Sequence, residues 1–158
     1  MLANASVNLI TASQALHWFN FNHFYTEVKR VAASDAIMVV RTFSLLKIDS
    51  FINALLHHYH FKIMANFWDA ERKFVDDVYT TIPFPSKEIE YPLFEIKTTW
   101  TLTELKGYLN RWNALQKFIA ANGCSTVQAL VEQVNKYWPP GQIKQIVFPF
   151  RLKMSKVH

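Results

Sequence analysis

The stretch between Val7 and Phe43 narrows the choice of fold more than any other part of the chain. Val7 to Ala12 is a short apolar run that reads as a buried strand. From Phe21 onward, apolar residues recur at Phe24, Tyr25, Val28 and Val31, the spacing of one helix face, and Asn20 or Asn22 stands where an N-cap is needed. Ala36 to Phe43 (AIMVVRTF) is a second apolar run, continuous enough to predict a strand covered on both faces. A strand, a helix and a strand in so short a span predict a βαβ unit, with parallel strands and a right-handed crossover. The expected fold class is α/β.

The remaining chain continues this pattern with more helix. Asp49 or Ser50 can cap a helix whose face is marked by Phe51, Ile52, Leu55, Leu56, Tyr59 and Ile63. Asn66 is the expected start of a second helix through Phe74, Val75 and Val78, followed by the proline-bearing connector IPFPSKEIEYP. A strand follows in which Phe94, Ile96, Thr98 and Trp100 share a face. Thr101–Glu104 and Ser125–Gln128 both fit the capping box, in which side chains satisfy free helix amides. The first of these helices is expected to end near Gly123 and the second before Pro139. Ile146, Phe148, Phe150, Leu152 and Met154 alternate along a long closing strand. Pro149 cannot donate to a ladder, so it predicts a bulge or an unpaired position there.

Composition sets the outer limits. With 158 residues, 51% of them hydrophobic and 15% aromatic, the chain can bury a core and is expected to form a single domain over residues 1–158. Its one cysteine, Cys124, cannot form an internal disulfide, which suits a reducing compartment. The opening MLANAS has no positive region ahead of an apolar segment, and no apolar run approaches the roughly 20 residues of a membrane helix. A cytoplasmic location and no membrane partner are expected. Net charge is +5, from 17 Lys and Arg against 12 Asp and Glu, with a modest concentration at Lys144, Arg151, Lys153 and Lys156. No nucleic-acid-binding motif accompanies it, so solvated surface is expected rather than a nucleic-acid partner.

Few residues offer chemistry. Gln14, His17 and Trp18 follow the first strand directly, at the strand end where open α/β sheets place ligands. His17 there can make a polar or acid-base contact and Trp18 a pocket wall, or both can pack between helix and sheet. Tyr108 and Trp112 are spaced to share one helix face, as core or as pocket lining. Arg111 can hold a carboxylate bidentately or point to solvent. His57 and His60 share a face near His58, yet no cysteine or acidic neighbour completes a tetrahedral set, so no metal is expected. Cys124 has no evident base partner and is not expected to be a nucleophile.

These residues also carry a family resemblance. NLITASQALHWFNFNHFYTEVKRV resembles the segment around the fourth strand of class I S-adenosylmethionine-dependent methyltransferases, in particular small-molecule enzymes similar to trans-aconitate methyltransferase. The matching positions run from Ser13 to Phe19, with Arg30 and Val31 later. TWTLTELKGYLNRWNAL resembles a second family stretch, matched at Gly107, Tyr108, Trp112 and Asn113. The resemblance covers nearly the whole chain and implies a partial Rossmann-like sheet in the strand block 4-5-7-6, the last strand antiparallel, with a helical insertion. It implies S-adenosylmethionine as cofactor, Gln14, His17, Trp18, Tyr108, Arg111 and Trp112 as pocket residues, and a small carboxylate as methyl acceptor.

The glycine-rich loop and acidic residue that hold the cofactor in that family have no counterpart among these residues. The only glycines are Gly107, Gly123 and Gly141, none of which follows a strand to open a helix. The chain thus resembles the C-terminal half of the fold, truncated on the cofactor side and not competent alone. In that half, Val7–Ala12 becomes an edge with unpaired amides, which predicts a homodimer or a partner chain pairing there. Two functions stay open: a module that no longer catalyses by itself, or a methyl-transfer site completed by another chain or by a dimer.

Overall fold

A computed structural model describes residues 2–84, 86–92 and 94–157; Pro85, within the expected connector, and Leu93 lie outside them. The chain divides into two compact units. The first comprises Met1–Ser44, Glu71–Glu95 and Pro149–His158, and the second Leu45–Ala70 and Ile96–Phe148.

In the first unit β1 (Val7–Ser13) leads through a 3-10 turn at Leu16–Trp18 into α1 (Phe21–Val31), then β2 (Ala32–Phe43). Asn20 caps α1 by accepting from the His23 amide, leaving one apolar face with Tyr25, Val28 and Val31 buried. The strands β1 and β2 pair in parallel, as a βαβ unit requires. β2 starts earlier than the apolar run at Ala36–Phe43, at Ala32 directly after α1. There Asp35 takes a left-handed φ of 61°, and the register jumps between Val7↔Ala32 and Leu9↔Ile37. α3 (Arg72–Asp76) and β5 (Phe150–Lys156) complete the unit, β5 running antiparallel to β2.

Strand order is β1-β2-β5, so β1 is an edge. Two expectations are corrected here. Only Ala12 of β1 is fully buried, one side of the strand has no partner strand among the described residues, and Leu9 keeps 58% of its surface exposed. In β2 burial alternates: Ala36, Met38, Val40 and Thr42 are buried while Ile37 and Val39 are half-covered, so one face alone is sealed. The sealed face packs with Ala12, Leu16, Tyr25, Val28, Val75, Tyr79 and Ile82. Burial pushes the Tyr25 phenol up to about 12, and its hydroxyl donates to the Pro83 carbonyl.

The second unit opens with α2 (Ser50–His58), extended by a π turn at Tyr59–Ile63. Asp49 Oδ1 accepts from the Ile52 amide at 3.0 Å, and Oδ2 meets Lys144 Nζ at 2.6 Å. The helix expected from Asn66 to Val78 breaks into a 3-10 turn at Ala65–Phe67 and the separate, short α3. β3 (Ile96–Trp100) pairs antiparallel with β4 (Lys144–Phe148), and Lys47 adds a bridge to Val147. Phe94 falls outside β3.

The expected long helix before Gly123 is two helices, α4 (Leu102–Leu109) and α5 (Asn113–Asn122), because Trp112 is extended. The Thr101–Glu104 capping box forms in full. The Ser125–Gln128 one does not: α6 (Val127–Asn135) starts after Thr126, whose side chain makes no cap bond, and Ser125 Oγ accepts from the Val127 amide instead. Gly123 closes α5 at a φ of 72°, where an L side chain would be strained. The closing strand is interrupted at Pro149, with β4 before it and β5 after it, so the described pairings form two sheets rather than one. Among the described residues no helix is long and apolar enough to cross a membrane.

Candidate functional site

The candidate residues fall into two groups, one in each unit. In the first, β1 ends at Ser13 and Gln14 turns the chain at a left-handed φ of 49°. That turn aims the Gln14 side chain back at the end of β2. Its Nε2 donates to the Phe43 carbonyl at 3.1 Å, and its Oε1 accepts from the Phe43 amide at 3.2 Å and from the Thr42 hydroxyl at 2.5 Å. Gln14 thereby works as a clamp between strand ends.

The 3-10 turn then buries Leu16 and His17 while Trp18 stays 54% exposed. His17 and Trp18 lie ring against ring at 4.8 Å, but they face different surroundings. His17 Nδ1 is 2.6 Å from the Tyr79 hydroxyl. Burial, helped by the Arg72 charge and opposed by Glu71, holds the imidazole below its usual 6.5. Burial also raises the Tyr79 phenol, against the pull of the His17 amide, the Thr42 hydroxyl and the Leu16 amide. Both groups are therefore neutral near pH 7.

Tyr79 and Thr42 were not singled out by the sequence. Tyr79 reaches His17 from 62 positions away, across the short α3. Thr42 sat inside an apolar strand pattern that gave no polar signal. Val78 and Tyr79 both adopt left-handed backbone, at φ of 49° and 61°. For a β-branched residue this is a genuine outlier, held by its surroundings.

In the second unit Tyr108 lies in α4 and Trp112 is the extended residue just before α5, so they do not share one helix face; their rings meet edge to face at 6.0 Å. Trp112 is 8% exposed and packs with Trp68 at 5.3 Å and His60 at 5.4 Å; Tyr108 packs with Trp100 and Phe148. This is a packed aromatic cluster. Arg111 is exposed. His60 is buried within the cluster, His57 lies against Phe61, and among the described residues no three His, Cys, Asp or Glu side chains gather to hold a metal.

The residues present do not fit S-adenosylmethionine as a cradle. Gly107 lies inside α4, Gly123 caps α5, and Gly141 sits in a turn before β4; none stands at a strand-to-helix turn where backbone could close on the cofactor.

No family model matches the chain. It is 28% identical to a methyltransferase candidate of Dictyostelium discoideum over 98% of its own length, and spans 62% of that relative. In structure it is similar to a candidate type II methyltransferase from Anaeromyxobacter dehalogenans, with a TM-score of 0.88 and 29% identity, over 99% of this chain and 67% of that one.

Proposed function

We propose that this chain is the acceptor-side portion of a small-molecule, S-adenosylmethionine-dependent methyltransferase fold, and that it does not hold the cofactor by itself. The observation that carries this reading is the likeness in shape to the Anaeromyxobacter protein over 99% of the chain. The parallel pairing of β1 with β2 and the antiparallel pairing of β2 with β5 support the 4-5-7 part of the block 4-5-7-6, while β3 and β4 pair antiparallel in a sheet of their own. Tyr79 belongs with His17 in the site, while Gln14 supports it from behind. When bound, S-adenosylmethionine supplies an electrophilic methyl group; the missing glycine cradle argues against binding by this chain alone.

A second reading keeps the activity and lets another chain or a second copy complete the site. Its support is the open edge of β1, where Leu9 is exposed and one side of the strand has no partner among the described residues. A homodimer through Val7–Ala12 would satisfy that edge. The working location in either case is the cytoplasm.

The test is a methyl-transfer assay with methyl-labelled cofactor and a panel of small hydroxy and carboxylic acids. No turnover is expected from the chain alone. Turnover at concentrations where light scattering reports monomer would refute the first reading; turnover only where it reports dimer would establish the second.

A further inference from the structure

The antiparallel register of β5 on β2 lays two cations along the sealed face of the first unit. Arg151 stands opposite Thr42 and Lys153 opposite Val40, and directly opposed side chains share a face. Lys153 is buried, meets Glu88 Oε1 at 2.9 Å and lies over the Phe84 ring at 5.3 Å. The connector carrying Glu88 is fastened along β5: the Ile89 amide donates to the Met154 carbonyl at 2.7 Å, and the Tyr91 hydroxyl donates to the Leu152 carbonyl. So held, Glu88 serves Lys153 and not Arg151. Its Oε2 stays 3.9 Å from Arg151 Nη2, too far for a hydrogen bond. Arg151 Nε is buried and has no hydrogen-bond partner among the described residues. An unmade bond on a buried charged donor is costly, and a guanidinium cannot shed its charge to escape it. Close ion pairs answer other cations of this unit: Arg30 with Glu27 at 2.6 Å, Arg72 with Asp76 at 3.0 Å and Lys156 with Asp35 at 2.9 Å.

We propose that Arg151 is the anion-holding residue of the site around Gln14 and His17, taking a ligand carboxylate on its guanidinium while Glu88 stays on Lys153. Position is the first argument. Thr42, the cross-strand neighbour of Arg151, donates to Gln14 Oε1 at 2.5 Å, so Arg151 stands at the end of β1 and β2 where Gln14 and His17 stand. Open α/β sheets take ligands at that end. Charge is the second argument. Arg151 and Lys153 face one carboxylate, and a ligand carboxylate brings the group to two cations and two anions. A guanidinium presents paired donors that match two carboxylate oxygens, which favours a carboxylate over a point-like anion such as chloride. With 38% of its side chain exposed, Arg151 is open to a ligand, as the buried Lys153 is not. The sequence offered Arg111 for this role, but Arg111 is exposed and belongs to the second unit. Identifying the carboxylate as the methyl acceptor's rests on the methyltransferase reading; anion binding at Arg151 does not.

Succinate titrated into the full chain, with the Arg151 Nε–H resonance followed by nitrogen-15 NMR, is the test. Succinate should move that resonance saturably. Succinamide, its neutral isostere, and sodium chloride at equal ionic strength should not. Arg151→Lys keeps the charge but loses the paired donors, so calorimetry should show succinate binding weakened about tenfold. Glu88→Gln keeps a polar partner for Lys153 and removes the competing charge, so it should tighten succinate binding about threefold. Arg111→Gln should leave the affinity unchanged. A shift reproduced by sodium chloride, an unaltered affinity in a folded Arg151→Lys, or weaker binding in a folded Glu88→Gln overturns the assignment. The labelled-methyl assay reads methyl transfer and the succinate titration reads Arg151, so failure of the methyltransferase reading leaves the succinate result standing, and the reverse.

Discussion

Gln14 is the residue whose replacement most sharply separates a clamp from a ligand contact. Gln14→Ala removes its side-chain bonds with Thr42 and with both backbone groups of Phe43. Each net hydrogen bond contributes about 0.5–1.5 kcal/mol, and at a half-buried position their joint loss should cost about 2–4 kcal/mol. Alanine also inherits the left-handed φ of 49°. Gln14→Gly loses the same bonds but relieves that strain, so it should be more stable than Gln14→Ala by about 1 kcal/mol. Urea unfolding supplies the two costs, and amide exchange at Phe43 should accelerate in both variants. A Gln14→Ala cost below about 0.5 kcal/mol, or an alanine variant more stable than the glycine one, would refute the clamp.

Three further expectations follow from the same geometry. Asp49→Ala should cost about 1–2 kcal/mol through loss of the α2 cap. Burial opposes the Asp49 charge, but the Ile52 amide and Lys144 hold its pKa below 3.8, so its contribution is full above that pH and fades as pH falls through the lowered value; urea melts at pH 7 and pH 3 should show the variant's cost shrinking. Val78→Gly should raise stability by about 1 kcal/mol, read by thermal unfolding, because glycine takes the left-handed backbone without penalty. Because His17 titrates below 6.5 when folded, the unfolded chain takes the proton more readily, and stability should drop as pH falls below 6.5. His17→Gln should flatten that slope in unfolding curves between pH 7.5 and 5.5.

The first strand, helix and second strand were legible because their apolar spacing is local and strong, and because Asn20 and Asp49 cap where short polar residues before an apolar stripe should. Pro149 was legible as a ladder interruption for a purely covalent reason, its missing N–H. The break between α4 and α5 was not, since Asn110–Arg111–Trp112 has no proline or glycine to announce it. Helical spacing placed Tyr108 and Trp112 on one helix face, but the chain breaks between them, and tertiary aromatic packing brings the two rings together. In the site, Gln14 and His17 were visible from their place after a strand. Their roles were not, because those depend on Thr42, Phe43 and Tyr79, brought in by strand pairing and by a chain reversal of left-handed residues that propensity disfavours.

Titrating S-adenosylmethionine into the purified 158-residue chain by calorimetry tests the central claim most directly. No binding heat is expected, because none of Gly107, Gly123 and Gly141 stands at a strand-to-helix turn. Saturable binding in the micromolar range by the chain alone would contradict it.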